Sequence, residues 1–256
     1  MIKDTIQMTL IQIDNYGPWT VSLGPGREAA LQVLQAELYA DVQRLFSIKG
    51  GLVFYARFDN MLALTNGISV DEHREIQEKI CRRYPFTISL GVGVGETAAE
   101  AQREATEVLQ RHGSSQAKDR RKILATADRQ LGKKGGIVQI AHIDVNDATS
   151  RLTDTVSAYD ALLAMLSVYK ILAEEFQKKK SLVFFNGGDN FLAISNGLTK
   201  QEYAEILGRV SKSTWLKLKA GVGRASSATE ALRLASTALD EIRQVEVDGP
   251  VHIKSM

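Results

Sequence analysis

The 256-residue sequence predicts an α+β fold in which one module occurs twice in tandem. Residues 52–69 and 182–199 lie 130 positions apart and are identical at nine of 18 positions. Other landmarks keep that spacing without a gap: Ile13-Asp14 and Ile143-Asp144, Tyr39 and Tyr169, and Gly91-Val92-Gly93 and Gly221-Val222-Gly223. Agreement at one fixed offset indicates an internal repeat. Apolar runs with strand and helix periodicity also follow one another in the same order in each half.

The first elements of each copy can be assigned from their patterns. An apolar strand ends in aspartate, as MTLIQID in the first copy and VQIAHID in the second. Apolar residues at helical spacing then predict a helix over roughly 27–46 and 155–177. Two β-rich runs follow and meet at RFDN or GGDN, which is typical of a β-hairpin.

Capping boxes mark the helices in the second part of each copy. They open the second helix at Ser69-x-x-Glu72 and Thr199-x-x-Glu202, and the third at Thr97-x-x-Glu100 and Ser227-x-x-Glu230. A fourth strand lies between these helices. The resulting order, β-α-β-β-α-β with a trailing helix, predicts a ferredoxin-like module with an antiparallel sheet. We expect the first module at 1–113, a linker with a short helix at 114–136, and the second module at 137–256.

Composition restricts the class of partner and the compartment. The net charge is +2, from 32 basic and 30 acidic side chains, which argues against a nucleic-acid partner. The single cysteine, Cys81, cannot form an internal disulfide and favours a reducing compartment. The chain has no signal-peptide pattern and no apolar run long enough to span a membrane. We therefore expect a cytoplasmic protein without a membrane partner.

Four carboxylates form the candidate catalytic and metal-binding set. In a split βαβ sheet the first and third strands are antiparallel neighbours, so the end of one lies beside the start of the other. This places Asp14 near Asp59, and Asp144 near Asp189. Paired carboxylates repel one another unless a cation or a proton intervenes. Oxygen ligands without cysteine or histidine suit Mg²⁺, which commonly completes its shell with substrate phosphates.

Several neighbouring residues are candidates for binding the nucleotide. The residues after Asp14 predict a glycine-containing turn that can direct backbone N–H groups at a triphosphate. The candidates in this turn are Asn15, Tyr16, Gly17 and Trp19. The hairpins add Asn60 and Asn190, and Arg57 is suited to neutralising phosphate charge. Its counterpart is Gly187, so we expect inequivalent copies, with the chemistry in the first and base recognition or contacts to a neighbouring subunit in the second.

Structural interpretations compete with the functional ones. An Asp-Asn pair in a hairpin is often turn chemistry. Asp160 suits either the N–H edge of a purine or the dipole of the helix it begins, and we favour the helix. His142 shares the strand face of Asp144 and is either a packed strand histidine or a catalytic base. The sequence contains no Walker A motif, GxSxG motif or clustered Cys/His set, which argues against the corresponding hydrolase and zinc mechanisms.

The strand aspartate and the hairpin aspartate together resemble the palm domains of class III nucleotidyl cyclases and diguanylate cyclases. The hairpin of the latter reads Gly-Gly-Asp-Glu-Phe. In the second copy of this chain, residues 187–191 read Gly-Gly-Asp-Asn-Phe. The fourth position is an amide in both copies, which differs from the diguanylate cyclase pattern.

Nearly the whole chain resembles the archaeal GTP cyclohydrolase III family. The motifs that carry the resemblance are IQIDNYGPWT (11–20), LYAD (38–41), LVFYARFDN (52–60), RYPFT (83–87), QIAHID (139–144), LTDTVSAYD (152–160) and GGDNF (187–191). The resemblance implies a Mg²⁺-dependent hydrolase, activated by K⁺ and assembled as a homo-oligomer, either a dimer or a tetramer. Such an enzyme serves riboflavin and coenzyme F420 biosynthesis.

The resemblance also implies the reaction. The enzyme would open the guanine imidazole ring of GTP and form 2-amino-5-formylamino-6-ribosylaminopyrimidinone 5'-phosphate, with release of inorganic phosphate. Two other hypotheses fit the same residues. One is a nucleotidyl cyclase-like enzyme acting on GTP, and the other is a GTP-binding regulator without catalytic activity.

Overall fold

A computed structural model describes residues 5–57, 59–127, 136–244, 247 and 249–256. The chain divides into two compact units. The first unit comprises Met1–Glu96 and Glu100–Gly136, and the second comprises Thr97–Ala99 and Ile137–Met256. Across the described ranges, none of the helices combines the length and apolarity needed to cross a bilayer.

The first unit contains a five-stranded sheet with the order β2-β3-β1-β4-β5. The elements are β1 (Ile6–Ile13), α1 (Tyr16–Ser22), α2 (Glu28–Ser47), β2 (Leu52–Arg57), β3 (Asn60–Leu64), α3 (Val70–Arg83), β4 (Ile88–Gly95), α4 (Ala98–Gln110) and β5 (Leu124–Thr126). Strands β1 to β4 pair in antiparallel fashion, whereas β5 runs parallel to β4.

The second unit repeats this arrangement, with the sheet order β10-β9-β6-β8-β7. Its elements are β6 (Val138–Val145), a π-helical turn (Thr149–Thr153), α5 (Ala158–Gln177), β7 (Leu182–Gly187), β8 (Asn190–Ile194), α6 (Lys200–Thr214), β9 (Leu218–Ala225), α7 (Ala228–Arg243) and β10 (Val251–Ser255). The last strand, β10, again runs parallel to its neighbour β9.

The structure confirms the predicted α+β fold and its duplicated ferredoxin-like order, and it adds one parallel edge strand to each sheet. Within its described residues, the segment 114–136, expected to be a linker with a short helix, contributes strand β5. Leu124 and Thr126 pair with Leu90 and Val92 of β4. Residues 128–135 of the segment lie outside the described residues. The polar composition of the segment concealed this three-residue strand.

Helices cover both faces of each sheet, and the glycine pairs determine how close one of them lies. Ile11 and Ile13 face a core shared with α2 and α3. On the opposite face, α4 lies so near β4 that a Cβ on Gly93 would be 2.2 Å from the Ala105 nitrogen. In the second unit, a Cβ on Gly223 would be 1.9 Å from the Ala231 oxygen. The repeated Gly-Val-Gly motif therefore admits a helix backbone directly against the strand.

The first strands of the two units differ in register by two residues, and this difference positions the site. Gln12 lies opposite Asn60 in the first unit, whereas Asp144 lies opposite Asn190 in the second. Thus β1 and β6 correspond at an offset of 132, although their partner strands correspond at 130. The buried glutamines Gln7 and Gln139 show the same offset of 132, because their side-chain amides donate to equivalent carbonyls.

The expected alignment of Asp14 with Asp144 is therefore wrong. Asp144 takes the structural position of Gln12, and Asn146 takes that of Asp14. The physical reason is that the connection from the first strand to the long helix is two residues shorter in the second unit. The ungapped repeat hides this change because both strands contain the dipeptide Ile-Asp.

Candidate functional site

The second unit brings a pair of predicted carboxylates together. The backbone N–H of Val145 donates to the Asp189 carbonyl at 3.3 Å, which ties the end of β6 to the hairpin. Asp144 is almost completely buried. Burial raises the pKa of Asp189, and the adjacent Asp144 carboxylate raises it further. This is the electrostatic state expected of two carboxylates that share one small site.

Two cations, which the sequence analysis missed, hold the Asp144 carboxylate. Arg243 Nη2 lies 2.9 Å from one oxygen, and Lys219 Nζ lies 3.1 Å from the other. Lys219 comes from the neighbouring strand, and Arg243 ends α7. The signal for Arg243 was its place in the last turn of a predicted helix. Without the correct register, however, neither side chain could be assigned to Asp144.

His142 lies beside this pair and bonds to the hairpin amide. Its Nε2 is 2.8 Å from Asn190 Oδ1, and its Nδ1 is 3.2 Å from Ser236 Oγ. Asn190 Nδ2 in turn donates to Asp189 Oδ1 at 2.8 Å. This geometry favours the packed strand histidine, which orients Asn190 and through it the carboxylate of Asp189.

A cleft of about 490 Å³ opens beside Asp189 on the face covered by α5. Its lining is mainly apolar and includes Ala148, Leu152, Leu162, Met165, Phe185 and Gly188. This volume and lining are typical of small-molecule sites. Asp160 does not line the cleft, since its carboxylate accepts a hydrogen bond from Ser157 Oγ at the start of α5. These contacts favour the interpretation in which Asp160 interacts with the start of α5 rather than with a purine.

Asp14 in the first unit has different partners from those expected. Its carboxylate accepts hydrogen bonds from Thr87 Oγ1 at 2.7 Å, Ser89 Oγ at 2.6 Å and the Lys122 backbone at 2.8 Å. Asp59 instead pairs with Arg57 at 2.8 Å. The backbones do adjoin, because the Ile13 N–H donates to the Asp59 carbonyl. The side chains of Asp14 and Asp59, however, are directed at separate partners.

In the first unit, Gln12 occupies the position that Asp144 has in the second, and it belongs to a chain of side-chain hydrogen bonds. Gln12 Nε2 donates to Asn60 Oδ1 at 2.8 Å, and Arg120 Nη1 donates to Gln12 Oε1 at 2.8 Å. Because glutamine is neutral, this part of the first unit lacks the carboxylate pair of the second.

The predicted phosphate-binding turn is a helix in the structure. Asn15 adopts a left-handed conformation with φ of 52° and begins α1. Pro18 falls in the first turn of α1, where its missing N–H is tolerated. Tyr16 bonds to Gln35, and the Trp19 ring packs edge-on against Phe86 at 5.1 Å. The expectation of a glycine turn was wrong because Gly17 is helical here.

The residues around α1 also fill a space that is an open cleft in the second unit. By strand register, Tyr16 has the position of Ala148, and Gln35 has that of Met165 by the helix offset. Their side chains bond to one another where the second unit has its cleft. Asn15 and Trp19 line a different pocket of about 240 Å³ next to Asp14.

The donor set in the second unit fits a hard divalent cation. In the part of the chain that the structure describes, no three His, Cys, Asp or Glu side chains cluster in a way that could hold a metal. A metal at this site would therefore take Asp144 and Asp189, with water or phosphate oxygens completing its shell. Mg²⁺ commonly binds with that division of ligands.

Comparisons with known proteins support one family. Residues 8–256 match the model of the family described as GTP cyclohydrolase III. The GTP cyclohydrolase III of Methanothermobacter thermautotrophicus is 50% identical over 97% of this chain and 98% of that protein. The protein of the same name from Methanocaldococcus jannaschii is 49% identical over 96% of this chain and 91% of that protein.

Similarity to solved structures is more distant. The active GGEEF domain of a diguanylate cyclase from Vibrio cholerae is 12% identical, with a TM-score of 0.38 over 46% of this chain and 82% of that chain. The family match extends over nearly the full length of the chain, and the relatives are matched over nearly all of theirs. This chain therefore belongs to the GTP cyclohydrolase III family.

Proposed function

We propose that the chain is a hydrolase that opens the imidazole ring of GTP in the presence of Mg²⁺. The product would be 2-amino-5-formylamino-6-ribosylaminopyrimidinone 5'-phosphate, formed with release of inorganic phosphate. The observation that carries this proposal is the Asp144–Asp189 pair, which adjoins a cleft of about 490 Å³. Relatives named GTP cyclohydrolase III, at about half identity, support GTP as the substrate.

The charged residues of the second unit suit the triphosphate. When bound, Mg²⁺ would act as a Lewis acid toward the phosphate oxygens. Asp144 and Asp189 would hold the ion, whereas Arg243 and Lys219 stand within 3.1 Å of Asp144 and can bind phosphate oxygens directly. Positive side chains next to paired carboxylates give a site for a metal together with an anion. This assigns the metal to the second unit, whereas the sequence favoured the first for the chemistry.

The apolar cleft suits the purine ring. Phe185, Leu162 and Met165 offer flat or flexible apolar surface, and Asp189 stands at the edge of the same cleft. Because Asp189 borders the cleft, its carboxylate can accept a proton from an attacking water there. We assign that role to Asp189, since His142 bonds to Asn190 and Ser236 instead. His142 is then a positioning residue that fixes Asn190.

A product assay tests the reaction. The full chain is incubated with GTP and Mg²⁺, and base ultraviolet absorbance is followed together with inorganic phosphate. We expect loss of the purine spectrum with parallel phosphate release. An intact purine with pyrophosphate release would indicate a nucleotidyl cyclase-like enzyme. Binding of GTP without turnover would indicate a regulator.

Two accompanying measurements complete the proposal. Activation by monovalent cations is tested by replacing K⁺ with a tetraalkylammonium ion at constant ionic strength, which we expect to lower the rate. Assembly into a dimer or tetramer is tested by light scattering coupled to size exclusion. A monomer with full activity would remove the homo-oligomer from the proposal.

A further inference from the structure

We propose that the first unit carries a separate, metal-independent site for a phosphate-sized oxyanion, built around the buried guanidinium of Arg120. Only 4% of this residue is exposed. An arginine side chain stays protonated in proteins, so the charge is buried with it. A buried charge is unfavourable unless it is paired and hydrogen-bonded.

The partners of Arg120 leave its charge without a bonded counterion. Among the residues that the structure describes, its one hydrogen bond goes from Nη1 to the neutral Gln12 Oε1. The Nε atom is buried and has no hydrogen-bond partner within the described ranges. Asp14 is the carboxylate whose charge favours the guanidinium, but its oxygens accept bonds from Thr87, Ser89 and Lys122. Burial therefore lowers the pKa of Arg120 against the opposing effect of Asp14.

A pocket of about 280 Å³ lies at this guanidinium. Its polar lining comprises Gln12, Thr106, Gln110, Ser114, Ser115 and Arg120. The Gln110, Ser114 and Ser115 side chains can donate to an oxyanion, whereas the Thr106 hydroxyl donates to the Gln102 carbonyl. Arginine binds an oxyanion through two parallel N–H groups. The volume falls below the roughly 300–1,000 Å³ of pockets that enclose drug-sized ligands. A small oxyanion fits this space better than a whole nucleotide does.

Comparison with the equivalent positions of the second unit indicates that the Arg120 pocket needs no metal to bind an anion. There Asp144 stands at the position of Gln12, and Lys219 stands at that of Ser89. The second unit therefore combines carboxylates with cations, as a metal–phosphate complex demands. In the first unit, the described lining of the pocket combines the Arg120 cation with neutral side chains, which suits an anion without a metal.

Phosphate binding to the full chain in excess chelator, without nucleotide, tests the site by calorimetry or equilibrium dialysis. We expect one site per chain in the unaltered protein and at least a tenfold loss of affinity in Arg120→Gln. Arg111→Gln, which alters an exposed arginine after α4, is the matched control and should bind as the unaltered chain does. Circular dichroism establishes that each variant is folded.

A second variant keeps the test decisive should Arg120→Gln fail to fold. Gln110→Glu places a carboxylate at the pocket from an exposed helix position, leaves Arg120 in place, and should also lower phosphate affinity at least tenfold. Unchanged binding in Gln110→Glu and Arg120→Gln would overturn the proposal. Loss in Arg243→Gln or Arg121→Gln instead would overturn it by moving the anion to another place.

Competition distinguishes two sources of the oxyanion. With chelator present, guanosine should not displace phosphate, because the site recognises no base. If GTP also fails to displace it, free phosphate is the ligand. Displacement by GTP, dependent on Arg120, would assign the site to the terminal phosphate of a nucleotide.

Discussion

At the residue scale, the surroundings of Asp189 disfavour the charged form of its side chain. Burial and the Asp144 carboxylate raise its pKa, so the folded chain binds its proton more tightly than the unfolded chain does. The resulting stability is present at low pH and is lost as pH rises through the raised pKa. Without metal, the second unit therefore loses stability as Asp189 gives up its proton beside Asp144.

Asp189→Asn should thus stabilise the metal-free chain at pH 7 while lowering activity. Asparagine removes the like-charge repulsion but cannot act as a base, for which a loss of about 10²–10⁴-fold in kcat is typical. Thermal unfolding in chelator and the GTP assay measure the two effects. Added Mg²⁺ should raise the Tm of the unaltered chain more than that of the variant. A variant less stable than the unaltered chain in chelator would contradict this account.

His73 provides a pH effect in the first unit. It is fully buried, with Nε2 at 2.8 Å from Thr9 Oγ1 and Nδ1 at 2.7 Å from the Ser69 carbonyl. Burial lowers its pKa, so the unfolded chain takes up a proton first as pH falls below about 6.5. The free energy of unfolding should therefore decrease as the pH falls from about 6.5.

His73→Gln should flatten that decrease between pH 7.5 and 5, since glutamine does not titrate in this range. Urea unfolding at several pH values measures the slope, and His112→Gln at an exposed position is the control. An equal slope in His73→Gln and the unaltered chain would assign the pH dependence to other groups.

At the element scale, the sequence predicted most of the architecture for identifiable reasons. Both hairpins, both long helices and the capping boxes at Ser69 and Thr199 form as expected. These features depend on local patterns. Strand β5 has three residues and depends on pairing with β4, which a local pattern cannot reveal. The helical state of Gly17 likewise depends on packing around Tyr16 and Trp19.

Register explains why the site was only partly predictable. The approach of Asp144 to Asp189 follows from antiparallel pairing, which the strand order predicts. The two-residue shift between units is invisible in the repeat, because Ile-Asp occurs in both first strands. Arg243 and Lys219 reach Asp144 only in the observed register. Conversely, in the first unit the Asp14 side chain is directed at hydrogen-bond donors rather than at the Asp59 side chain.

Close contact between α7 and β9 gives a prediction at this scale. Gly223→Ala would place a Cβ 1.9 Å from the Ala231 oxygen and should destabilise the chain by about 1–3 kcal/mol. Gly208→Ala inside α6 is the matched control, since its Cβ would meet no atom of the described residues within 4 Å. This control should stabilise by about 0.5–1 kcal/mol. Chemical unfolding measures both changes, and equal effects would show that α7 can move away from the strand.

At the scale of the whole molecule, duplication has produced two units with one sheet order and different polar centres. The second unit has paired carboxylates, two cations and an apolar cleft. In the first, Gln12 replaces the strand carboxylate, and Tyr16 bonds to Gln35 in place of a cleft. The sheet is preserved while its connections change, so Asp14 lies among hydrogen-bond donors and Asp144 lies beside a second carboxylate.

Substitution of Asp14 should therefore have a different effect from substitution of Asp144. Asp14→Asn removes acceptor capacity from a carboxylate that binds Thr87, Ser89 and the Lys122 N–H, so it should lower the free energy of unfolding by about 1–3 kcal/mol. The fraction that remains folded should keep most of its kcat. Asp144→Asn should leave a folded chain that turns over GTP at least about 100-fold more slowly.

Activity measured per folded chain, beside thermal unfolding of the same samples, separates these two outcomes. Titration of Mg²⁺ with a non-hydrolysable GTP analogue adds a readout independent of turnover, and the stoichiometry should be one metal–nucleotide complex per chain. Asp144→Asn should abolish it, because the paired site loses one charge, whereas Asp14→Asn should retain it. Two complexes per chain, or an inactive Asp14→Asn variant of unaltered stability, would show that the first unit holds a catalytic metal after all.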